Sequence, residues 1–159
     1  MLRGSDGFFL EVAREVAVNY PEVEFESFIV DDFACRMIRN PQYFDVIVMP
    51  NLYGDILSDA AGGLVGSLGL APSGCYGDDY AYFEPAHGTA PDIAGQNIIN
   101  PTASILSACM MLDYLGYDHE GSRIREGLLR VYADGRILTP DQGGTASTTQ
   151  FCDAVARAI

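Results

Sequence analysis

The amino-acid sequence predicts an α/β protein. Three features carry that reading: a helix-periodic segment followed by two short strand-like runs around a second helix, a glycine-rich yet apolar stretch in the middle, and three further helical patterns towards the C-terminal end. Residues 8–20 read as a helix because Phe9, Val12, Val16 and Tyr20 recur on one face, and Pro21 stops it. Residues 23–30 (VEFESFIV) alternate early on and read as a strand, and residues 31–40 as a short helix between Asp31-Asp32 and Asn40-Pro41. Residues 44–49 (FDVIVM) form a short apolar run that suits a buried strand. Strand, helix, strand in that order predicts a parallel pair.

Residues 51–77 carry seven glycines among small and apolar residues. A flexible linker would not hold so many Leu, Ile and Val residues, so the stretch predicts close helix–backbone packing. Residues 81–84 read as a strand that leads into an irregular segment, 85–100. Asn100 is expected to cap a helix with Pro101 at its first position. That helix runs to about Leu115, is apolar nearly all round, and is expected to be buried. An amphipathic helix follows over about 122–133, with Ile124, Leu128 and Tyr132 on one face. The last helix, 147–159, opens with a Ser147-x-x-Gln150 capping box ahead of Phe151, Val155 and Ile159. No internal repeat is visible.

The 159 residues are 48% hydrophobic, which suits one compact domain or a piece of something larger, and excludes a disordered chain. Nine basic residues, all arginine, face 22 acidic ones, for a formal charge of −13. Phosphate backbones and anionic lipid surfaces are therefore poor partners: neither nucleic acid nor a membrane is expected. Acidity of this size serves solubility in general, and local carboxylates can also hold a divalent cation. The cysteines at 35, 75, 109 and 152 lack any C-x-x-C spacing, which points away from a disulfide framework or zinc cluster and towards a reducing compartment. Met1-Leu2-Arg3-Gly4 lacks a signal-like apolar run, and the longest apolar run, 108–112, is too short to span a bilayer; a cytoplasmic location is expected.

Asp55 and Asp59 lie four apart in a segment that reads as helical, so both carboxylates leave one face about a turn apart. Two readings stay open. Acids near a helix start are favourable by themselves, and a hard cation such as Mg²⁺ or Mn²⁺ would turn their repulsion into attraction. Asp31-Asp32 reads more simply as helix-start capping. The segment His87-Gly88-Thr89-Ala90-Pro91-Asp92-Ile93-Ala94-Gly95 is either a plain surface loop or one where a ligand comes close to the backbone. An aspartate there can accept both hydroxyls of a ribose and repel a 2′-phosphate. No G-x-G-x-x-G, P-loop or G-x-S-x-G is present, His119 reads as a solvated connector, and Cys109 sits in an apolar helix where a thiol is inert.

Several long motifs in order resemble the isocitrate and isopropylmalate dehydrogenase family. They are Asn51-Leu52-Tyr53-Gly54-Asp55-Ile56-Leu57-Ser58-Asp59 with Gly66-Ser67-Leu68-Gly69-Leu70, then residues 83–95 (FEPAHGTAPDIAG) with Asn100-Pro101-Thr102, then Thr139-Pro140-Asp141-x-Gly143-Gly144-Thr145-Ala146. The resemblance spans essentially the whole chain but matches only the C-terminal half of a family subunit. It implies the family's α/β fold, with residues 1–63 in the small, dimer-forming domain and 64–159 in the C-terminal part of the large cofactor-binding domain. It implies NAD-dependent oxidation of a 2-hydroxy acid and β-decarboxylation, helped by Mg²⁺ or Mn²⁺, which acidifies the hydroxyl and stabilises the enolate. Its metal ligands correspond to Asp55 and Asp59, with Asp31 reaching the metal of the other protomer of a homodimer. The cofactor residues are Glu84, near the nicotinamide, and His87, Gly88, Thr89, Ala90, Pro91, Asp92, Ile93 and Asn100 on the adenosine side. Family members with an Asp-Ile pair, as at Asp92-Ile93, use NAD, whereas NADP users place lysine and tyrosine there.

Leu52-Tyr53, Pro72-Ser73-Gly74 and Thr89 resemble NAD-dependent isocitrate dehydrogenases more than isopropylmalate dehydrogenases, so isocitrate is the favoured substrate and 3-isopropylmalate the next. The family's catalytic lysine and tyrosine and its substrate-reading arginines and serine have no counterpart, and the sequence holds no lysine at all. The acid–base pair is therefore missing, and no catalytic residue is assigned. The expectation is a dehydrogenase portion inactive without its N-terminal half. The alternative is a stand-alone truncated paralogue that binds a nucleotide or metal, or serves as an interaction module.

Overall fold

A computed structural model describes residues 4–159; residues 1–3, the start of the stretch read as lacking a leader, lie outside them. The chain divides into two compact units, Met1–Ala61 and Gly62–Ile159.

The first unit holds helices α1 (Ser5–Ala17) and α2 (Val30–Arg39) and most of α3 (Asn51–Val65). Its core joins Phe33, Met37 and Leu57, with Phe28, Phe44 and Met49 packed against them. The rings of Phe28, Phe33 and Phe44 meet edge-on or tilted, a favoured aromatic geometry. Asp31 and Asp32 sit in the first turn of α2 and Arg36 and Arg39 in the last, each set matching the helix dipole. Tyr53 Oη donates to Asp6 Oδ2 at 3.0 Å, tying α3 to α1 and pushing the phenol's pKa up.

Three expectations for this region are corrected. Residues 23–30 and 44–49 form no strand and hence no parallel pair. A strand exists by its ladder, and among the described residues neither run finds a partner; Val46 is 88% exposed. The first helix begins and ends about three residues earlier than its periodicity suggests, and none of its residues is buried, so its apolar face stays open.

The second unit packs α4 (Thr102–Tyr114) on the antiparallel pair β1 (Pro72–Tyr76) and β2 (Ala81–Pro85), with Gly74 opposite Phe83. Helix α5 (Asp118–Asp134) then packs on both α4 and α6 (Thr148–Ala158). Leu128, Val131, Phe151 and Val155 form the core, and Phe151 is wholly buried. The expected capping box is complete: the Gln150 N–H donates to Ser147 Oγ at 3.2 Å, and the Ser147 N–H to Gln150 Oε1 at 2.8 Å. Strand β1 escapes sequence reading because Pro72-Ser73-Gly74-Cys75-Tyr76 has no β-branched residue. Helix α4 starts at Thr102, with Pro101 as N-cap, one residue later than expected. Nor is it buried all round, since Met111 and Leu115 are exposed. Among the described residues no helix is long and apolar enough to cross a membrane.

Replacing Phe151 by alanine removes the only fully buried aromatic ring among the described residues. It should destabilise the second unit by about 3–5 kcal/mol, read as faster amide exchange across α5 and α6.

Candidate cofactor cleft and carboxylate pair

The loop after β2 turns on itself because Ala90 (φ 42°) adopts the left-handed region, ahead of a 3₁₀ turn at Pro91–Ile93. Its far end is pinned from α6. The Thr148 N–H donates to the Asn97 carbonyl at 2.9 Å, and both the N–H and hydroxyl of Thr149 donate to Asn97 Oδ1. Asn97 itself has φ 58°, which its side chain tolerates better than most.

Folded this way, the loop walls a cleft of about 390 Å³. His87, Gly88, Ala90 and Ile93 stand on one side, Ser67, Leu68 and Gly69 on another, with Ile98, Ile99, Asn100, Pro140 and Asp141 completing it. Gly66 (φ +113°) releases the chain from α3 into the Ser67–Gly69 wall. A Cβ at Gly69 would lie 3.1 Å from Asn100 Cβ, so glycine lets these two walls close together. Apolar side chains dominate the lining, and its polar groups are few, as in small-molecule sites generally.

Asn100 is almost fully buried. Its Nδ2 donates to Tyr132 Oη at 3.1 Å and to Asp141 Oδ2 at 3.0 Å, while its Oδ1 accepts the Thr102 N–H at 3.0 Å. Asp141 Oδ1 also accepts from Thr139 Oγ1 at 2.6 Å, and Oδ2 from Gln142 Nε2 at 3.2 Å. Burial works against the charge of Asp141, yet hydrogen bonds from Thr139, Asn100, Gln142 and Ser67 outweigh it and hold the carboxyl below its ordinary value. His87 Nδ1 lies 2.9 Å from the Gly88 carbonyl; since a carbonyl only accepts, Nδ1 is the donor in this contact.

Of the nine residues expected to hold cofactor, His87, Gly88, Ala90, Ile93 and Asn100 line this cleft; Thr89, Pro91 and Asp92 belong to the same loop but not to its lining. Asp92 is exposed, and its carboxylate makes no ion pair among the described residues. Glu84 lies on β2, exposed, its carbonyl accepting from Ser107 Oγ at 2.8 Å. Sequence reasoning assigns no site role to Ser67, Tyr132 or Asp141, although Ser67 and Asp141 fall within two of the motifs that carry the resemblance.

Asp55 and Asp59 both lie on α3 and are exposed. Asn51 Nδ2 donates to Asp55 Oδ2 at 2.9 Å, and among the described residues no arginine or histidine pairs with either aspartate. Asp31 Oδ1 accepts the Asp32 N–H at 2.9 Å, as a helix-start residue does. Among the described residues no three metal-ligating side chains gather, so Asp31 is not brought to the other two within this chain. Two uncompensated carboxylates a turn apart fit a hard divalent cation that draws its other donors from elsewhere. His119 is exposed beside Glu120, and burial pushes the Cys109 thiol up, so neither is placed for chemistry.

The model of the isocitrate/isopropylmalate dehydrogenase family matches residues 1–155, and the chain belongs to that family. It is 53% identical over 155 residues to an isocitrate/homoisocitrate dehydrogenase of Thermus thermophilus, covering 98% of this chain and 46% of that protein. It is 45% identical to a mitochondrial NAD isocitrate dehydrogenase regulatory subunit of Dictyostelium discoideum, over 100% of this chain and 45% of that one. The crystal structure of isocitrate dehydrogenase from Methylococcus capsulatus superposes with a TM-score of 0.94 at 44% identity, covering 99% of this chain and 47% of that chain. The chain thus spans about half the length of the relatives it matches.

The depressed pKa of Asp141 fixes a sign. Its contribution is fully present above the ordinary carboxyl pKa, near 3.8, and is lost as pH falls through the lower value of the folded state. Thermal unfolding between about pH 2.5 and 7 should therefore show a flatter acid limb for Asp141→Asn than for the parent chain.

Proposed function

We propose that this chain supplies the adenosine side of the NAD site and two of the metal-binding carboxylates of a β-decarboxylating dehydrogenase acting on a 2-hydroxy acid. Isocitrate is the favoured substrate and 3-isopropylmalate the next. The observation that carries this reading is the folding of residues 87–100 against Ser67–Gly69 and Pro140–Asp141 into one largely apolar cleft with glycine at its walls. Asp92, beside that cleft without an ion-pair partner among the described residues, is suited to accept ribose hydroxyls and to repel a 2′-phosphate, hence NAD over NADP. Glu84 would stand towards the nicotinamide.

Asp55 and Asp59 would hold Mg²⁺ or Mn²⁺, with Asp31 contributed across a homodimer. The cation, when bound, supplies Lewis-acid polarisation of the substrate's hydroxyl and carboxylate. The residues present bind and orient, but none is placed to move the proton of the substrate hydroxyl, and a chain without lysine has no substitute for the family base. The chain alone is therefore inactive and depends on the segment that its relatives carry N-terminally. In domain terms, 1–63 belongs to the small, dimer-forming domain and 64–159 to the large one. Four cysteines without C-x-x-C spacing support a reducing compartment such as the cytoplasm. The likeness to a regulatory subunit supports the second reading, a non-catalytic nucleotide- or metal-binding module.

The isolated chain should form no NADH from isocitrate, Mn²⁺ and NAD. Joined to the N-terminal portion of the Thermus relative, it should do so, with NAD far better than NADP. Robust turnover by the chain alone, or an inactive chimera that is folded, overturns the catalytic reading. Asp59→Asn should weaken Mn²⁺ binding to the chimera by at least about tenfold, measured by paramagnetic titration.

A further inference from the structure

Every polar atom of the Asn100 side chain is engaged, and Tyr132 Oη also lies 3.4 Å from its Oδ1. Both donors of its amide are taken, one by Tyr132 Oη and one by Asp141 Oδ2, and its oxygen accepts the first N–H of α4, from Thr102. The Tyr132 hydroxyl lies 2.6 Å from Thr102 Oγ1, so it holds both Asn100 and the first residue of α4, while its ring packs on Phe151 with centroids 5.4 Å apart. Asp141 is held from its own side by Thr139 and Gln142. A side chain so fully engaged is not free to bind a ligand. What it fixes is the main chain of residues 99–101 against Gly69, where the two cleft walls meet.

We propose that Tyr132 and Asp141 are positioning residues for the cofactor cleft: by clamping the two ends of the Asn100 amide they set its floor, and Asn100 serves a ligand through its main chain and shape, not its side chain. The inference rests on the reading of the cleft as a nucleotide site only for its functional consequence; the clamp is testable without any ligand. Tyr132→Phe keeps the ring on Phe151 and removes only the hydroxyl, leaving one Asn100 donor and Thr102 Oγ1 without their partner. Val155→Ala weakens the same α5–α6 core without touching the amide and serves as the structural control.

In ligand-free ¹H–¹⁵N spectra, Tyr132→Phe should shift the backbone resonances of Gly69, Asn100 and Asp141, and Asp141→Ala should shift Gly69 and Asn100. Val155→Ala should leave these resonances in place even where it lowers the melting temperature more. In calorimetric titration with NAD, both clamp variants should bind about tenfold more weakly than the parent, and the control unchanged. The proposal is overturned if neither clamp variant moves the cleft resonances, or if the control moves them equally. Should the parent chain bind no NAD while the resonances respond as expected, the clamp stands and the nucleotide reading of the cleft falls.

Discussion

The second unit depends on one buried amide. Asn100 stands where the irregular loop ends and α4 begins, and its side-chain hydrogen bonds run to α5, to the Pro140–Gln142 turn and to α4 itself. A buried amide is costly unless every donor and acceptor is met, so these segments are held to one arrangement by a polar constraint that apolar packing would not impose. The apolar core of Leu128, Phe151 and Val155 is held by burial, which is non-directional and sets no hydrogen-bond geometry between α5 and α6. The amide's hydrogen bonds are directional. The cleft inherits its shape from that difference, because Asn100 and Asp141 are both part of its lining.

Most of the helical structure was legible in the sequence, since a helix answers to its own residues. The Ser147–Gln150 capping box, the Asp31-Asp32 opening of α2 and the 3.6-residue periodicity of α5 are local facts. The two runs read as strands failed for the opposite reason: VEFESFIV and FDVIVM record a preference for lying beside another strand, and none of the described residues provides one. Strand β1 was hidden because its pairing with β2, not its composition, makes it a strand. At the site, the loop from His87 to Ile93 could be read from its glycines and its resemblance, and five of the nine residues named for it do line the cleft. The roles of Ser67, Tyr132 and Asp141 could not, even where a motif contained the residue, because they come from segments distant in sequence and meet only through side-chain geometry.

Two features of the composition take on physical meaning in the structure. Part of the excess negative charge sits as an unneutralised pair on α3, where a cation would be held without displacing an arginine. The open apolar faces, on α1 and along residues 46–48, are surfaces that a globular chain of this length ordinarily covers. They accord with a chain that spans less than half of each relative named above. On the proposed reading, binding and chemistry are divided along the polypeptide, with the cleft and the carboxylates on this side of the division.

A crystal structure of the chain with NAD tests the proposed adenosine subsite in that cleft most directly. Adenosine density between Leu68 and Ile93, with the ribose hydroxyls at Asp92 and the Asn100 amide still bonded to Tyr132 and Asp141, is the predicted result. Adenosine bound elsewhere on a folded chain, or held by an Asn100 side chain released from both partners, would contradict it.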